Sequence, residues 1–300
     1  MKVTMYAYDL FTRRINGKGF KNVDIFEDDI IEVLNDLLSK DLVNRRYEIK
    51  KSNKIIYLLG MEYDKDTRIA LLKFGSAKYN SVRDVLNTDT MRQNPKKKKT
   101  KKDGDEEKTC MVIRFTEGEE GNWAKCLVQV NSNGVSISKI MEYINNSIIE
   151  YHEKKKCDNI RYHILYSNIV SNDFLNSLEK AGRIKTVKLV MDSEEVDTTE
   201  FRDFSQKKDL RKEFDIVLKP ATKGASILGN TVRDFFKDYN SSKKIKRIYV
   251  DSDTADGNPL SFDTEKMKER VIVSVQENVV TGEPNINELN IIMKQKVLAY

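Results

Sequence analysis

Apolar and polar residues alternate along some stretches of this chain and recur at helical spacing along others, and the switches between the two patterns predict its elements. The alternation of residues 2–11 predicts a strand, and the turn-rich NGKG of residues 16–19 follows it. Residues 28–39 read as a helix on Ile30, Ile31, Val33, Leu34, Leu37 and Leu38, with acids crowding the first turn where they favour the helix dipole. Residues 47–50, 54–63 and 67–74 read as strands, the last two joined by the turn Asp64-Lys65-Asp66. These elements predict an antiparallel meander packed by one helix.

Further along, residues 110–115 and 124–130 predict paired strands around the loop TEGEEGNW, and Asn133-Gly134 turns the chain into an amphipathic helix over residues 136–151. Residues 161–166 and 185–190 read as strands separated by a helix over 172–181 that Gly182 stops. The acidic, then basic, segment 192–210 reads as a solvated helix or loop. Strands are expected at 214–219, 245–250 and 271–276, with helices at 227–239, 264–270 and 285–296. In the last helix Asn285 is placed to cap and Glu288 to reach back, as in a capping box. No long period repeats, which disfavours a solenoid. The expected class is α+β, or mixed α/β, with an N-terminal meander and a C-terminal sheet of alternating strands and helices.

One stretch fits neither pattern. Residues 92–108, RQNPKKKKTKKDGDEEK, contain no apolar side chain, and seven of the first eleven are Lys or Arg. Such a run buries too little surface to offset its ordering entropy. It predicts a basic arm or linker between two lobes, 1–91 and 109–300. Three hundred residues at 39% hydrophobic content suffice for either one large domain or two. The run holds eight basic and four acidic residues, so it supplies +4 of a formal +6, and the remaining 45 basic and 43 acidic residues leave only +2. That distribution argues against a protein coated in positive charge and centres any grip on phosphate in one loop.

Cys110, Cys126 and Cys157 include no CxxC pair, which fits a reducing compartment. The opening MKVTMYAYDLF lacks a continuous apolar core of the signal-peptide kind, and no apolar run is long enough to span a bilayer. A cytoplasmic protein without membrane insertion is therefore expected. Abundant Lys, Asn and Ile with four Pro fits an AT-rich bacterial genome or its phage.

Candidate chemistry is sparse. Asp251 and Asp253 end an apolar strand, where paired carboxylates with water and phosphate oxygens would suit Mg²⁺, as in a metal-dependent nuclease. The neighbouring Ser252, Asp256, Gly257, Asn258 and Pro259 are all turn formers, and the plainer reading of the stretch is a polar turn. Glu48-Ile49-Lys50 has the E-x-K spelling of another nuclease type, or of solvated charge pairing at a sheet edge. His152 and His163 are the only histidines, and with Cys157 they form no recognised zinc spacing. Lys223 to Ser226 lack a phosphate-loop spelling and read as a helix start capped by Ser226. Nucleic-acid contact is expected at Arg92, Lys96, Lys97, Lys98, Lys99, Lys101 and Lys102, aided by Lys243, Lys244, Lys246 and Arg247, by Arg45 and Arg46, and by Arg211 and Lys212. Such contacts give affinity with little sequence specificity. Aromatic residues are not concentrated there, which argues against a stacking sheet. The alternative is a self-compensating loop in which DEE answers KKKKTKK.

The segments YAYDL, VQVNSNGVSISKIMEYI, RYHILYS, FDIVLKP and IYVDSDTADG, in that order, resemble bacterial accessory proteins of similar length that accompany mobile elements and phage-defence genes of the abortive-infection type. The resemblance implies an accessory role in defence and brings no catalytic residues with it. Three functions follow as expectations. The first is a non-enzymatic accessory protein that contacts DNA, RNA or a partner effector through the basic arm. The second is a Mg²⁺-dependent nuclease using Asp251 and Asp253, with Asp256 or Glu48. The third is an assembly subunit docking through Ile286, Leu289, Ile292, Met293 and Val297 of the last helix, positions that amphipathic logic also assigns to an internal core.

Overall fold

The computed structural model describes residues 1–14, 26–80, 86–87, 92–93, 103–116, 123–155, 162–169, 178, 181–192, 213–222, 224–242, 245–254, 256–264, 268–279 and 282–300. The chain forms two compact units: Met1–Tyr6, Leu10–Leu165 and Val271–Tyr300 make the first, and Ala7–Asp9 with Tyr166–Arg270 make the second. The class is mixed α+β with antiparallel sheets.

The first unit is built on an eight-stranded sheet. Its strands are β1 (Lys2–Arg14), β2 (Tyr47–Ile49), β3 (Lys54–Asp64), β4 (Ile69–Lys78), β7 (Glu106–Thr116), β8 (Trp123–Val130), β9 (Tyr162–Asn168) and β14 (Arg270–Ser274). The order is β14-β1-β8-β7-β4-β3-β2, with β9 also pairing β1. A separate two-stranded ribbon joins β5 (Leu86–Asn87) and β6 (Arg92–Gln93). Among the described residues its helices are α1 (Phe26–Ser39), α2 (Ile137–Lys155) and α4 (Ile286–Val297).

Parity along the strands shows why both sheet faces are apolar. Tyr143 of α2 meets Phe74 edge-on and accepts a hydrogen bond from the Leu58 amide, and Phe74 stands opposite Thr109. On the other parity of β7, Arg114 donates to the Leu298 carbonyl just beyond α4. Helices therefore cover opposite faces, and β7 is buried continuously from Thr109 to Ile113 instead of alternating. Leu289, Met293 and Val297 of α4 are fully buried and belong to the internal core, whereas Ile286 and Ile292 of the same stripe are half-buried.

The expected division at residues 92–108 is not where the chain divides. Strands β4 and β7 lie on either side of it and pair without interruption from Ile69 with Arg114 to Ala77 with Glu106. An uncharged core cannot use the intervening segment, but a ladder can close over it, because loop-closure entropy grows only logarithmically with length. The two flanks belong to β6 and β7, and residues 94–102 lie outside those described. Gly104 approaches the base of this hairpin so closely that a Cβ would sit 2.5 Å from the Lys78 carbonyl oxygen. Two pairs in from Ala77–Glu106, the Tyr57 ring lies over Gly75, where a Cβ would come within 2.5 Å of it.

The second unit is a four-stranded antiparallel sheet, β11 (Glu213–Leu218), β10 (Ala181–Asp192), β12 (Ile245–Thr254) and β13 (Pro259–Asp263), in that order. Helix α3 (Gly229–Ser242) contributes Val232 to a core with Val187, Ile248 and Val250, all fully buried. Three local expectations fail here. Gly182 does not stop a helix: it lies inside β10 at a register shift between Ala181 and Arg183, a usual place for glycine in a sheet. Ser226 does not cap α3, which begins at Gly229; its hydroxyl accepts from the Ile184 amide at 2.9 Å. Thr264, expected to open a helix, is a buried turn residue whose hydroxyl accepts from the Ile248 amide at 3.1 Å.

In α4 the cap holds but the box does not close. Asn285 Oδ1 accepts from the amides of Asn287 at 3.1 Å and Glu288 at 3.3 Å. The Glu288 carboxylate instead accepts from the Gln276 amide at 2.7 Å, while the Asn285 amide donates to the Gln276 carbonyl. Among the described residues no helix is long and apolar enough to cross a membrane. Asn285→Ala is expected to cost about 1 kcal/mol and Asn285→Gly only a few tenths, measured by urea unfolding.

Candidate functional site

Strand β12 carries the predicted carboxylates. Val250 and Ser252 point into the core, so Asp251 and Asp253 share the opposite face of the second sheet, which no helix among the described residues covers. Asp251 is exposed and stands level with Thr186 and Ser261. Asp253 is not open in the same way: Lys185 Nζ lies 2.6 Å from its Oδ1. Among the described residues no three His, Cys, Asp or Glu side chains are grouped to hold a metal ion. Glu48, the other proposed ligand, accepts from the Tyr79 hydroxyl.

The same face holds Arg247, assigned from the sequence to nucleic acid. Its guanidinium forks onto Asp263, with Nε at 2.8 Å from Oδ1 and Nη2 at 2.6 Å from Oδ2, and stacks 4.3 Å from the Tyr249 ring centroid. Lys188 approaches the same ring and pairs with Asp215 at 2.7 Å. Arg247 is thus committed to a bidentate protein carboxylate, the geometry that a phosphate would need. Arg45 is committed too, donating to the carbonyls of Lys40 and Leu38 at 2.7 Å each and thereby capping the end of α1. Lys96, Lys97, Lys98, Lys99, Lys101, Lys102, Lys243, Lys244, Arg211 and Lys212 lie outside the described residues, and Arg92 is described only as backbone in β6.

A further cluster of titratable groups, reaching from α1 to α2, carries no spacing signal in the sequence. On α1, Asp29, Glu32 and Asp36 fall three and four residues apart and form one stripe facing the end of α2. His152 Nε2 lies 2.9 and 3.0 Å from the two Asp29 oxygens, and the Tyr162 hydroxyl donates to Asp29 Oδ2 at 2.5 Å. Tyr151 donates to Glu32 at 2.7 Å, Lys155 lies 3.5 Å from the same carboxylate, and Lys154 pairs with Asp36 at 3.2 Å. The Tyr151 bond and Lys155 hold the Glu32 carboxyl below its usual range. Burial, then the negative charge of Asp29, pushes the Tyr162 hydroxyl far up, so it acts as a donor and not as a base. His152 is 5% exposed and Tyr162 0%, so the inner end of the cluster is buried, while Glu32, Lys154 and Lys155 at its outer end are exposed. The group fastens α1, α2 and β9 together.

Tyrosine-to-carboxylate bonds recur through this unit, with Tyr57 on Glu106 at 2.5 Å, Tyr63 on Glu27 at 2.6 Å and Tyr47 on Glu142 at 2.8 Å. Burial, then the accepting carboxylate, pushes the hydroxyls of Tyr57 and Tyr63 up to about 12. Burial likewise pushes the Cys110 thiol up to about 11, so this free cysteine stays protonated and unreactive at neutral pH. No protein-family model matches the sequence, and no curated protein matches it either.

Two outcomes follow. Asp29→Ala strands the His152 ring nitrogen and the Tyr162 hydroxyl in the interior and is expected to cost about 3 kcal/mol in denaturant unfolding, whereas Asp251→Ala stays within about 0.5 kcal/mol. Because the folded chain holds the Tyr57 and Tyr63 protons up to about 12 and the unfolded chain releases them near 10, their contribution is complete below pH 10 and is lost as pH rises towards 12. Combining Tyr57→Phe with Tyr63→Phe should flatten that alkaline decline in chemical-denaturation curves.

Proposed function

We propose that this chain is a non-enzymatic accessory protein of a bacterial phage-defence system, working in the cytoplasm, that contacts nucleic acid or a polyanionic partner through the lysine run at residues 96–102. The observation that carries the reading is the disposition of charge. The run and its flanks hold +4 of the +6 net charge, while Arg45 and Arg247 on the body are engaged by protein acceptors. Its placement supports the same role: it belongs to the excursion between two paired strands, so phosphate contact there would not disturb the ladder. The acids that follow it are held in part by the fold, since Glu106 accepts from Tyr57 and Glu107 from Asn131 at 2.9 Å. Acids held on the sheet are less able to fold back and neutralise the lysines. The free, buried Cys110 and Cys126 fit a reducing cytoplasm.

Replacing Lys96, Lys97, Lys98, Lys99, Lys101 and Lys102 together by Ala tests this in the full chain. Fluorescence anisotropy with a labelled oligonucleotide at low salt should show at least about a tenfold loss of affinity, and the salt dependence should fall by roughly 0.7–0.9 per phosphate contact removed. Thermal unfolding should be unchanged. Equal affinity and equal salt slope in the substituted protein would remove nucleic acid from the reading.

A further inference from the structure

The outer edge of the second sheet is built for pairing. Strand β11 has β10 on one side and, among the described residues, no strand on the other. Its register with β10 runs from Val187 with Leu218 to Asp192 with Glu213 without a shift. Edge strands are usually blunted by bulges, proline or inward charges. The opposite edge is so treated, since β13 begins on Pro259, but β11 carries no proline and no bulge.

Its side-chain rows are incomplete as well. Phe214, Ile216 and Leu218 stand level with Met191, Leu189 and Val187 and therefore share the core face. Leu189 is buried, yet Ile216 beside it remains 38% exposed, and Val217 on the other face is 50% exposed. Among the described residues, then, the core reaches this edge without being closed there.

The sequence of the strand says what closes it. In EFDIVLK, residues 213–219, reversal about Ile216 sets Phe214 against Leu218, Asp215 against Val217 and the acid position 213 against the base position 219. Antiparallel pairing of two identical strands imposes this reversal, and a twofold axis repeats each pair. We propose that two copies of this chain associate through β11, joining their four-stranded sheets into one continuous sheet across a twofold axis at Ile216. The apolar pairs then fill the open end of each core, and the two Glu213–Lys219 pairs fix the register. Pro220 ends the shared ladder because it has no amide to donate. The proposal is independent of the nucleic-acid reading, although a dimer would present two lysine runs to one polyanion and strengthen its grip.

Sedimentation equilibrium on the full chain, with circular dichroism to confirm folding, tests it. The unaltered protein is expected to be a dimer at micromolar concentration. Lys219→Glu sets like charges opposite one another twice and should raise the dimer Kd by about tenfold. Adding Glu213→Lys to it should return the Kd to its original value, because the pair is reversed and not lost. Val217→Lys, a solvent-facing change that guards natural edges, should give monomer. A monomeric unaltered protein, or a charge reversal that fails to restore a weakened dimer, would overturn the proposal.

Discussion

The ladder between β4 and β7 is the constraint on which the first unit depends. Both strands are central and covered on both faces, and they are joined by the most polar segment of the chain. Because closing a longer loop adds little entropy cost, the hydrophobic gain of aligning Ile69 to Phe74 with Thr109 to Arg114 outweighs it. A polyelectrolyte segment can therefore interrupt the sequence of a sheet without interrupting the sheet. Proximity in the sequence predicts a boundary; the ladder decides otherwise.

Polar fasteners then set the position of the helices around that sheet. Many of the tyrosines of the first unit spend their hydroxyls on carboxylates, and α1 presents its acids to the basic end of α2. The basic last turn of α2 suits its own dipole as well as its neighbour. In the second unit the corresponding fasteners lie on the sheet face turned away from α3, where Arg247, Lys188 and Lys185 answer Asp263, Asp215 and Asp253.

Periodicity made many of the elements legible, because strands and helices with strong apolar patterns betray themselves locally. The α+β class, the separate hairpins β3-β4 and β7-β8 and the Asn285 cap could be read in this way, whereas the pairing of β4 with β7 that joins them could not. The failures share a cause: each depends on a partner far away in sequence. Gly182 signals a helix stop or a bulge with equal local justification, and the strand pairing with β12 selects the bulge. Glu288 prefers the Gln276 amide over its own helix because β14 delivers that amide nearby. His152 finds Asp29 across 123 residues, and no spacing rule reaches so far. Charge is legible as a sum but not as an arrangement: nothing in the local sequence marks the fork of Arg247 onto Asp263.

One glycine binds several of these observations together. Gly75 serves as the floor for the Tyr57 ring, and the hydroxyl of that ring holds Glu106, the first strand residue after the lysine-rich excursion. The smallest side chain in the sheet consequently governs where the chain re-enters it. A methyl group introduced there would tilt the aromatic ring, release the glutamate and alter the local potential felt by any anion approaching the hairpin, so a purely steric change would be read out as an electrostatic one.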